Sequence, residues 1–386
     1  MPLLLVSGLL VGLTIRYLPG KGGHSPADGF KARGAPTPIE LPGIIFAALA
    51  TLSLGAVLGP EAPLIAIGGG LGVLAIRLAR RDAPPRTIAV VAAAGSFASI
   101  STLFGNPLLG AFLLMEASGL GGPTLELVLL PGLVAAGIGS LIFIGLGSWS
   151  GLGTFSLTIP NLPHVGLPNL AEFCWALVIG VLAPLLALGV RWLALFLRPH
   201  VERRLVLATP VAGLAVAGLA IAFAAGTGKS SSEVLFSGQD ALGPFITSSA
   251  SYTVPALLLL IACKGLAYGV SLSGFRGGPV FPALFLGAAG GMALSHLPGL
   301  PLIPAVAMGI GAMSVSMLNL PLTSVLLATL LLGSDGVTDM PLAIIAVAVS
   351  FIVSARIAVP AQSPASPTGG GTQPSVSPPA GRGSGP

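Results

Sequence analysis

The sequence predicts an all-α integral membrane protein, a bundle of two pseudo-symmetric halves with broken and re-entrant helices. Three observations carry that expectation. The chain of 386 residues is 54% hydrophobic and only 8% charged, where soluble domains carry about 25% charged residues; its mean hydropathy is +0.97. Apolar segments recur along the chain, and Gly and Pro interrupt them. Two segments also share one pattern, P-x-x-x-[IL]-G-x-x-x-G, from Pro63 through Gly68 to Gly72 and from Pro282 through Gly287 to Gly291.

The apolar segments fall at 3–17, 41–58, 62–79, 88–103, 107–118, 124–147, 171–197, 205–225, 254–272, 281–295, 302–318, 321–333 and 340–358. The first, Pro2 to Tyr17, has no A-x-A cleavage pattern after it and reads as a retained membrane segment. Spanning a bilayer takes about 20 apolar residues, so several segments are too short to cross alone. Short, Gly/Pro-broken segments in matching places of two halves point to a transport site. The match continues downstream, where Asn106-Pro107-Leu108 parallels Leu320-Pro321-Leu322. Pro282 follows Pro63 by 219 residues and Pro321 follows Pro107 by 214, as an internal repeat requires. The residues alone leave open whether that repeat is inverted. Residues 1–147 read as the first half and 171–359 as the second, joined by a Gly/Pro/Ser/Thr-rich connection over 148–170. The Pro/Gly/Ser-rich stretch 360–386 cannot bury a core and reads as a disordered tail, with no soluble regulatory domain after the membrane part.

The net charge of +5 is not a nucleic-acid signal, because the basic residues lie in short clusters between apolar segments. Arg77, Arg80, Arg81 and Arg86 form one cluster and Arg198, Arg203 and Arg204 another; both flank segment ends and are placed in the cytoplasm. Arg16, Lys21, Lys31 and Arg33 form a third, whose side is open. Cys174 and Cys263 sit in apolar runs and read as packing residues. The histidines do not cluster with cysteines or carboxylates, so no metal or other cofactor is expected. Neither a nucleophile–base pair nor a metal set appears at membrane depth, which argues against an enzyme.

One residue stands out. Glu61 lies in Leu58-Gly59-Pro60-Glu61-Ala62-Pro63, between two apolar runs. A carboxylate at membrane depth costs roughly 3 kcal/mol or more and marks a functional site by default. Gly59 to Pro63 and Gly277 to Pro282 each read as a Gly/Pro turn that opens a helix inside the membrane. A helix start carries unpaired N–H groups and the positive end of the dipole. Two starts aimed at one spot form an anion site without a buried lysine, weak enough to let the ion leave again. Glu61 at one start would compete with the anion, and its protonation would release the site.

These residues resemble the CLC family of chloride channels and chloride/proton antiporters. Gly59-Pro60-Glu61-Ala62-Pro63 is similar to the family's G-[KR]-E-G-P motif, whose glutamate is the gate. Gly278-Pro279-Val280-Phe281-Pro282 resembles its G-x-F-x-P motif. Phe104 to Gly110, with Glu116 beyond, resembles the F-N-x-P-L-x-G helix, the asparagine one place late; Pro321-Leu322-Thr323 resembles the matching P-L-T. Val234-Leu235-Phe236-Ser237-Gly238 is similar to a loop common in the family, and the ordered set covers about residues 15 to 355. The resemblance implies inverted halves and a homodimer in the cell membrane with one pore per subunit. It also implies anion contacts at Gly23, Ser25, Gly59, Ala62, Gly278, Val280 and Phe281.

The departures shape the expected mechanism. The family's G-S-G-x-P motif falls on Gly22 to Pro26, with Gly23 at its serine position and Ser25 as a substitute only through a shifted turn. Pro279 lacks an N–H where one usually helps hold the ion. The family's late tyrosine has no counterpart, since Tyr268 is the last tyrosine, and Ala117 stands where antiporters carry a proton-transfer glutamate. Glu116, one residue earlier, is a candidate for the proton route but points about 100° away on a helix, and reads first as a structural acid. Ser25 also reads as an N-cap, His24 as a solvated loop residue, and Lys264 and Arg276 as interfacial anchors. The first segment resembles the family's third helix, so the family's first two are expected to be missing. The leading expectation is a channel-like or loosely proton-coupled chloride pathway across the bilayer. A fluoride- or nitrate-type exporter, a chloride/proton antiporter and a non-conducting membrane scaffold are the alternatives.

Overall fold

A computed structural model describes residues 1–30, 34–119, 122–151, 158–159 and 166–357. Lys31, Arg33, the tail expected over 360–386 and most of the connection expected over 148–170 lie outside the described residues. Those described are all-helical, without a strand. In chain order the helices are α1 (Pro2–Tyr17), α2 (Leu41–Leu52), α3 (Glu61–Ala79), α4 (Pro85–Phe104), α5 (Pro107–Ser118), α6 (Gly122–Ser150) and α7 (Leu170–Arg203), then α8 (Leu205–Thr227), α9 (Gln239–Thr247), α10 (Val254–Gly274), α11 (Val280–Leu294), α12 (Leu302–Leu318), α13 (Pro321–Leu331) and α14 (Gly333–Ile357). Seven of them, α3, α4, α6, α7, α8, α10 and α14, are long and apolar enough to cross a membrane. The short apolar helices α1, α2, α5, α11, α12 and α13 stand among them.

Packing repeats along the chain. α3 packs on α4 and α4 on α6; α11 packs on α12 and α12 on α14. The shared Gly pattern is the cause of both contacts. A Cβ on Gly68 would overlap the Gly95 carbonyl, and one on Gly72 the Val91 carbonyl; a Cβ on Gly287 would overlap the Gly309 carbonyl, and one on Gly291 the Ala305 carbonyl. Lipid tails are as apolar as leucine, so membrane helices associate through close packing, and small residues allow it. α7 then covers α12 and α14, which leaves α12 buried from Ile303 to Leu318.

Three helix boundaries differ from the sequence expectation by more than three residues, one of them the start of α14, at Gly333 rather than 340. The apolar run through Leu58 is helical only to Leu52. Beyond Gly55, at φ 102°, Ala56 to Leu58 run non-helical and fully buried, with the Val57 N–H donating to Ser271 Oγ at 3.1 Å. Apolarity alone cannot separate a buried extended stretch from a helix. α7 runs to Arg203, past Pro199, because its last turn lies in the polar basic cluster, where hydropathy no longer marks it. α9 is short and mixed in polarity and has no counterpart among the expected segments.

The glycine contacts give a direct expectation. Gly287→Val should force α11 away from α12, and overpacking of this kind costs about 1–3 kcal/mol. The thermal unfolding midpoint of detergent-solubilised protein should fall; a midpoint equal to wild type would contradict the close contact.

Candidate functional site

The centre of the molecule is a pair of glycines. The Gly59 N–H donates to the Gly278 carbonyl at 2.7 Å, and the Gly278 N–H donates to the Gly59 carbonyl at 2.6 Å. This reciprocal antiparallel bridge sets two helix starts side by side. Each continues the same way, with Pro60 and Pro279 at the N-caps of α3 and α11, both in the helical region. Pro63 and Pro282 follow at the third helical position. A helix start normally leaves four N–H groups free, and proline at two of these positions removes two. What remains is the N–H pair of Glu61 and Ala62 on one helix and that of Val280 and Phe281 on the other.

The Glu61 side chain is fully buried and reaches across to the second helix. Its Oε1 accepts the Phe281 N–H at 2.9 Å, and the Val280 and Glu61 N–H groups also face the carboxylate. Oε2 has no hydrogen-bond partner among the described residues. A Cβ on Gly278 would overlap Oε2, so only glycine admits the carboxylate here. The carboxylate thus sits at the positive end of the α11 dipole, where an anion would otherwise be favoured.

Of the residues expected to hold an anion, Ala62, Val280 and Phe281 are brought together with Glu61. Gly59 and Gly278 are not available as donors: their N–H groups are spent on each other, and they form the clamp instead. Gly23 and Ser25 line a cavity of about 410 Å³ whose wall also includes Ala62, Pro63, Gly277 and Pro279. Ser25 occupies the N-cap position of a short turn, Pro26–Asp28, but its side chain caps nothing. A second cavity, of about 480 Å³, is lined by Leu58, Pro60 and the loop from Ser232 to Ala241. Glu61 lines neither cavity, and its two chain neighbours line one each.

The cavities lie near opposite ends of α8. Near the first, Asp28 pairs with Arg198 at 2.6 Å, in the last turns of α7 just before α8 begins. The second is built from the loop that follows the end of α8 at Thr227. A helix of 23 residues spans roughly 35 Å, the thickness of a bilayer core.

Three residues around this arrangement take places the sequence did not disclose. Tyr268, fully buried on α10, donates its hydroxyl to the Pro279 carbonyl at 2.8 Å and fixes the start of α11. Its signal was a lone phenol in an apolar helix, which must find a partner. Lys264 is not an interfacial anchor: it is fully buried, and its Nζ donates to the carbonyls of Glu233, Val234, Leu235 and Phe236 at 2.8 to 3.4 Å. It ties down the loop that walls the second cavity. Arg276 is not an interfacial anchor either, since it lines the first cavity beside the helix starts.

Glu116, at the end of α5, is engaged elsewhere. It accepts the Leu322 N–H at 2.9 Å, the Thr323 N–H at 2.8 Å and the Thr323 hydroxyl at 2.6 Å, capping the start of α13. Asn106 does the same locally for α5, accepting from Leu108 and Leu109. Among the described residues no group of His, Cys, Asp and Glu could hold a metal ion.

The model of the voltage-gated chloride channel family matches residues 4–355. YfeO of Salmonella typhimurium, whose name assigns it to ion transport provisionally, is 29% identical over 289 residues, covering 74% of this chain and 66% of YfeO. YfeO of Escherichia coli O1:K1 is 30% identical over 296 residues, covering 74% and 65%. This chain therefore spans just under two thirds of the length of the relatives it matches. Among solved structures, a slow cyanobacterial Cl⁻/H⁺ antiporter aligns with a TM-score of 0.69 at 18% identity, over 92% of this chain and 84% of that one. A CLC-type fluoride/proton antiporter aligns with a TM-score of 0.64 at 19% identity, over 92% and 94%. At these identities the likeness shows the fold.

Two substitutions probe the supports. Glu116→Ala leaves three donors of α13 without an acceptor, and Lys264→Met leaves the Glu233 to Phe236 carbonyls without a donor. Each is expected to destabilise the detergent-solubilised protein by about 1–3 kcal/mol, read as a lower unfolding midpoint. Wild-type midpoints would contradict the capping roles.

Proposed function

The chain belongs to the voltage-gated chloride channel family, and from that premise we propose that it moves a small inorganic anion, chloride first, across the membrane through a site gated by Glu61. The observation that carries this reading is the position of the Glu61 carboxylate. It takes the Phe281 N–H at the start of α11, between Pro60 on the wall of one cavity and Ala62 on the wall of the other. Each proposed half, 1–147 and 171–359, supplies one of the helix starts. With the carboxylate in place, the seat is filled by the protein's own anion and the path is closed. Displaced or protonated, Glu61 frees the N–H groups of Val280 and Phe281 for a passing anion, beside that of Ala62. Their partial charges hold it weakly enough for release. Gly23 and Ser25 line the approach from the first cavity, which faces the cytoplasm if the Arg198–Arg204 cluster follows the positive-inside rule.

Transport is channel-like or loosely coupled to protons in this reading. Ala117 offers no carboxylate on the inner half of a proton route, and the three bonds of Glu116 to α13 occupy the neighbouring one. Pro279 takes one donor from the ion, and Tyr268 acts on the Pro279 carbonyl rather than on the ion. A homodimer with one pathway per subunit follows the family.

Flux from reconstituted vesicles tests the gate. A hydrogen bond to a charged group contributes about 1.5–3 kcal/mol, so Glu61→Gln and Glu61→Ala should raise chloride flux roughly ten-fold. Wild-type flux should rise as external pH falls, and the variants should lose that dependence. Variants that keep the wild-type pH response would overturn the gate, and proton movement driven uphill by a chloride gradient would overturn the channel-like reading.

A further inference from the structure

The first cavity contains a guanidinium that the gate does not use. Arg276 sits between α10 and α11, next to Gly277 and Gly278 of the clamp, where the first half has the apolar Val57. Its backbone N–H donates to Thr51 Oγ1 at 3.3 Å. Its stem passes over Gly22, where an added Cβ would lie 3.3 Å from Arg276 Cγ. The guanidinium donates to two backbone carbonyls, that of Lys21 at 3.3 Å from Nε and that of Phe275 at 3.2 Å from Nη1. These bonds hold the group in place and leave its charge unneutralised.

No carboxylate pairs with it among the described residues. Asp28 and Glu202 are both bonded to Arg198, at 2.6 and 2.7 Å. Glu40, the one acid on the cavity wall, is held through Oε2 by the Thr37 N–H at 2.6 Å and the Thr37 hydroxyl at 2.9 Å. Among the described residues, Lys21 and the exposed His24 complete the ionisable lining. Arg276 and Lys21 against Glu40 leave the described lining net positive, with the Arg276 guanidinium outside any ion pair there, beside a site otherwise built of partial charges.

We propose that Arg276 forms a second anion site, which takes a small monovalent anion from solution and holds it in the cavity before it reaches the helix starts. The site rests on the anion-pathway reading above and adds a full charge to it. Low-dielectric walls focus the field of such a group, and a cleft of one sign raises the local concentration of its counter-ion about 10-fold or more. The arrangement places the full charge where the ion waits and the partial charges where it must pass quickly. Arg276 thus compensates for the hydroxyl that Gly23 lacks.

The test is chloride flux from vesicles as a function of chloride concentration. Arg276→Gln should raise the half-saturating concentration about ten-fold and change flux at saturating chloride by less than about two-fold. Ala66→Glu brings a carboxylate into the same cavity and leaves both carbonyl bonds of Arg276 in place; it should raise the half-saturating concentration likewise. This second variant decides the matter if Arg276→Gln does not fold. Unchanged half-saturation in the folded variants, with wild type and Glu61→Gln both conducting, would overturn the Arg276 site and leave the gated pathway standing. Absence of flux from wild type and Glu61→Gln alike would overturn the pathway, and the Arg276 site with it.

Discussion

Everything around the site depends on two hydrogen bonds between Gly59 and Gly278. They are reciprocal, as a two-fold relation between equivalent residues would make them, and they join segments 219 residues apart. A bridge of this kind satisfies the backbone of both non-helical stretches where no water can do so. It also fixes the separation of α3 and α11, so that one carboxylate spans from the first start to the second. Both positions have to be glycine: a Cβ on either would meet the Glu61 side chain. The clamp and the proposed gate are thus one construction.

Function enters where the two halves differ. Each start reads G-P-x-x-P, but the first carries Glu61 where the second carries Val280. A second carboxylate there would repel the first across the clamp, whereas valine leaves the α11 N–H groups to Glu61 and, in the proposed function, to an anion. Arg276 against Val57 is a further difference, and it puts a guanidinium on the wall of the first cavity. The supports lie further out: Tyr268 on the Pro279 carbonyl, Lys264 on the loop of the second cavity, Glu116 on α13. Each satisfies backbone groups that a broken helix leaves exposed.

The helical membrane fold was legible because lipid demands long apolar segments and close packing demands glycine at fixed spacing. Pro63, Gly68 and Gly72 against Pro282, Gly287 and Gly291 therefore announced the repeat. Glu61 was legible because a charge at that depth is costly. The roles of Gly59 and Gly278 were not, since a glycine in a Gly/Pro turn reads equally as an ion ligand or as a clamp; only the partner 219 residues away decides. Lys264 and Arg276 misled for a related reason. Lysine and arginine near a segment end usually reach the interface, and nothing local reveals four carbonyls or a cavity waiting for them. The G-P-x-x-P identity was the unused signal, because it aligns Glu61 with Val280 and sets the starts face to face.

The central claim is that the Glu61 carboxylate and the transported anion occupy the same seat. Bromide located by anomalous scattering in crystals of wild type and of Glu61→Ala tests it most directly. Bromide is expected within hydrogen-bond reach of the Phe281 N–H in the variant and absent from that point in wild type at neutral pH. Bromide beside Phe281 in wild type with the Glu61 bond intact, or no bromide there in the variant, would contradict it.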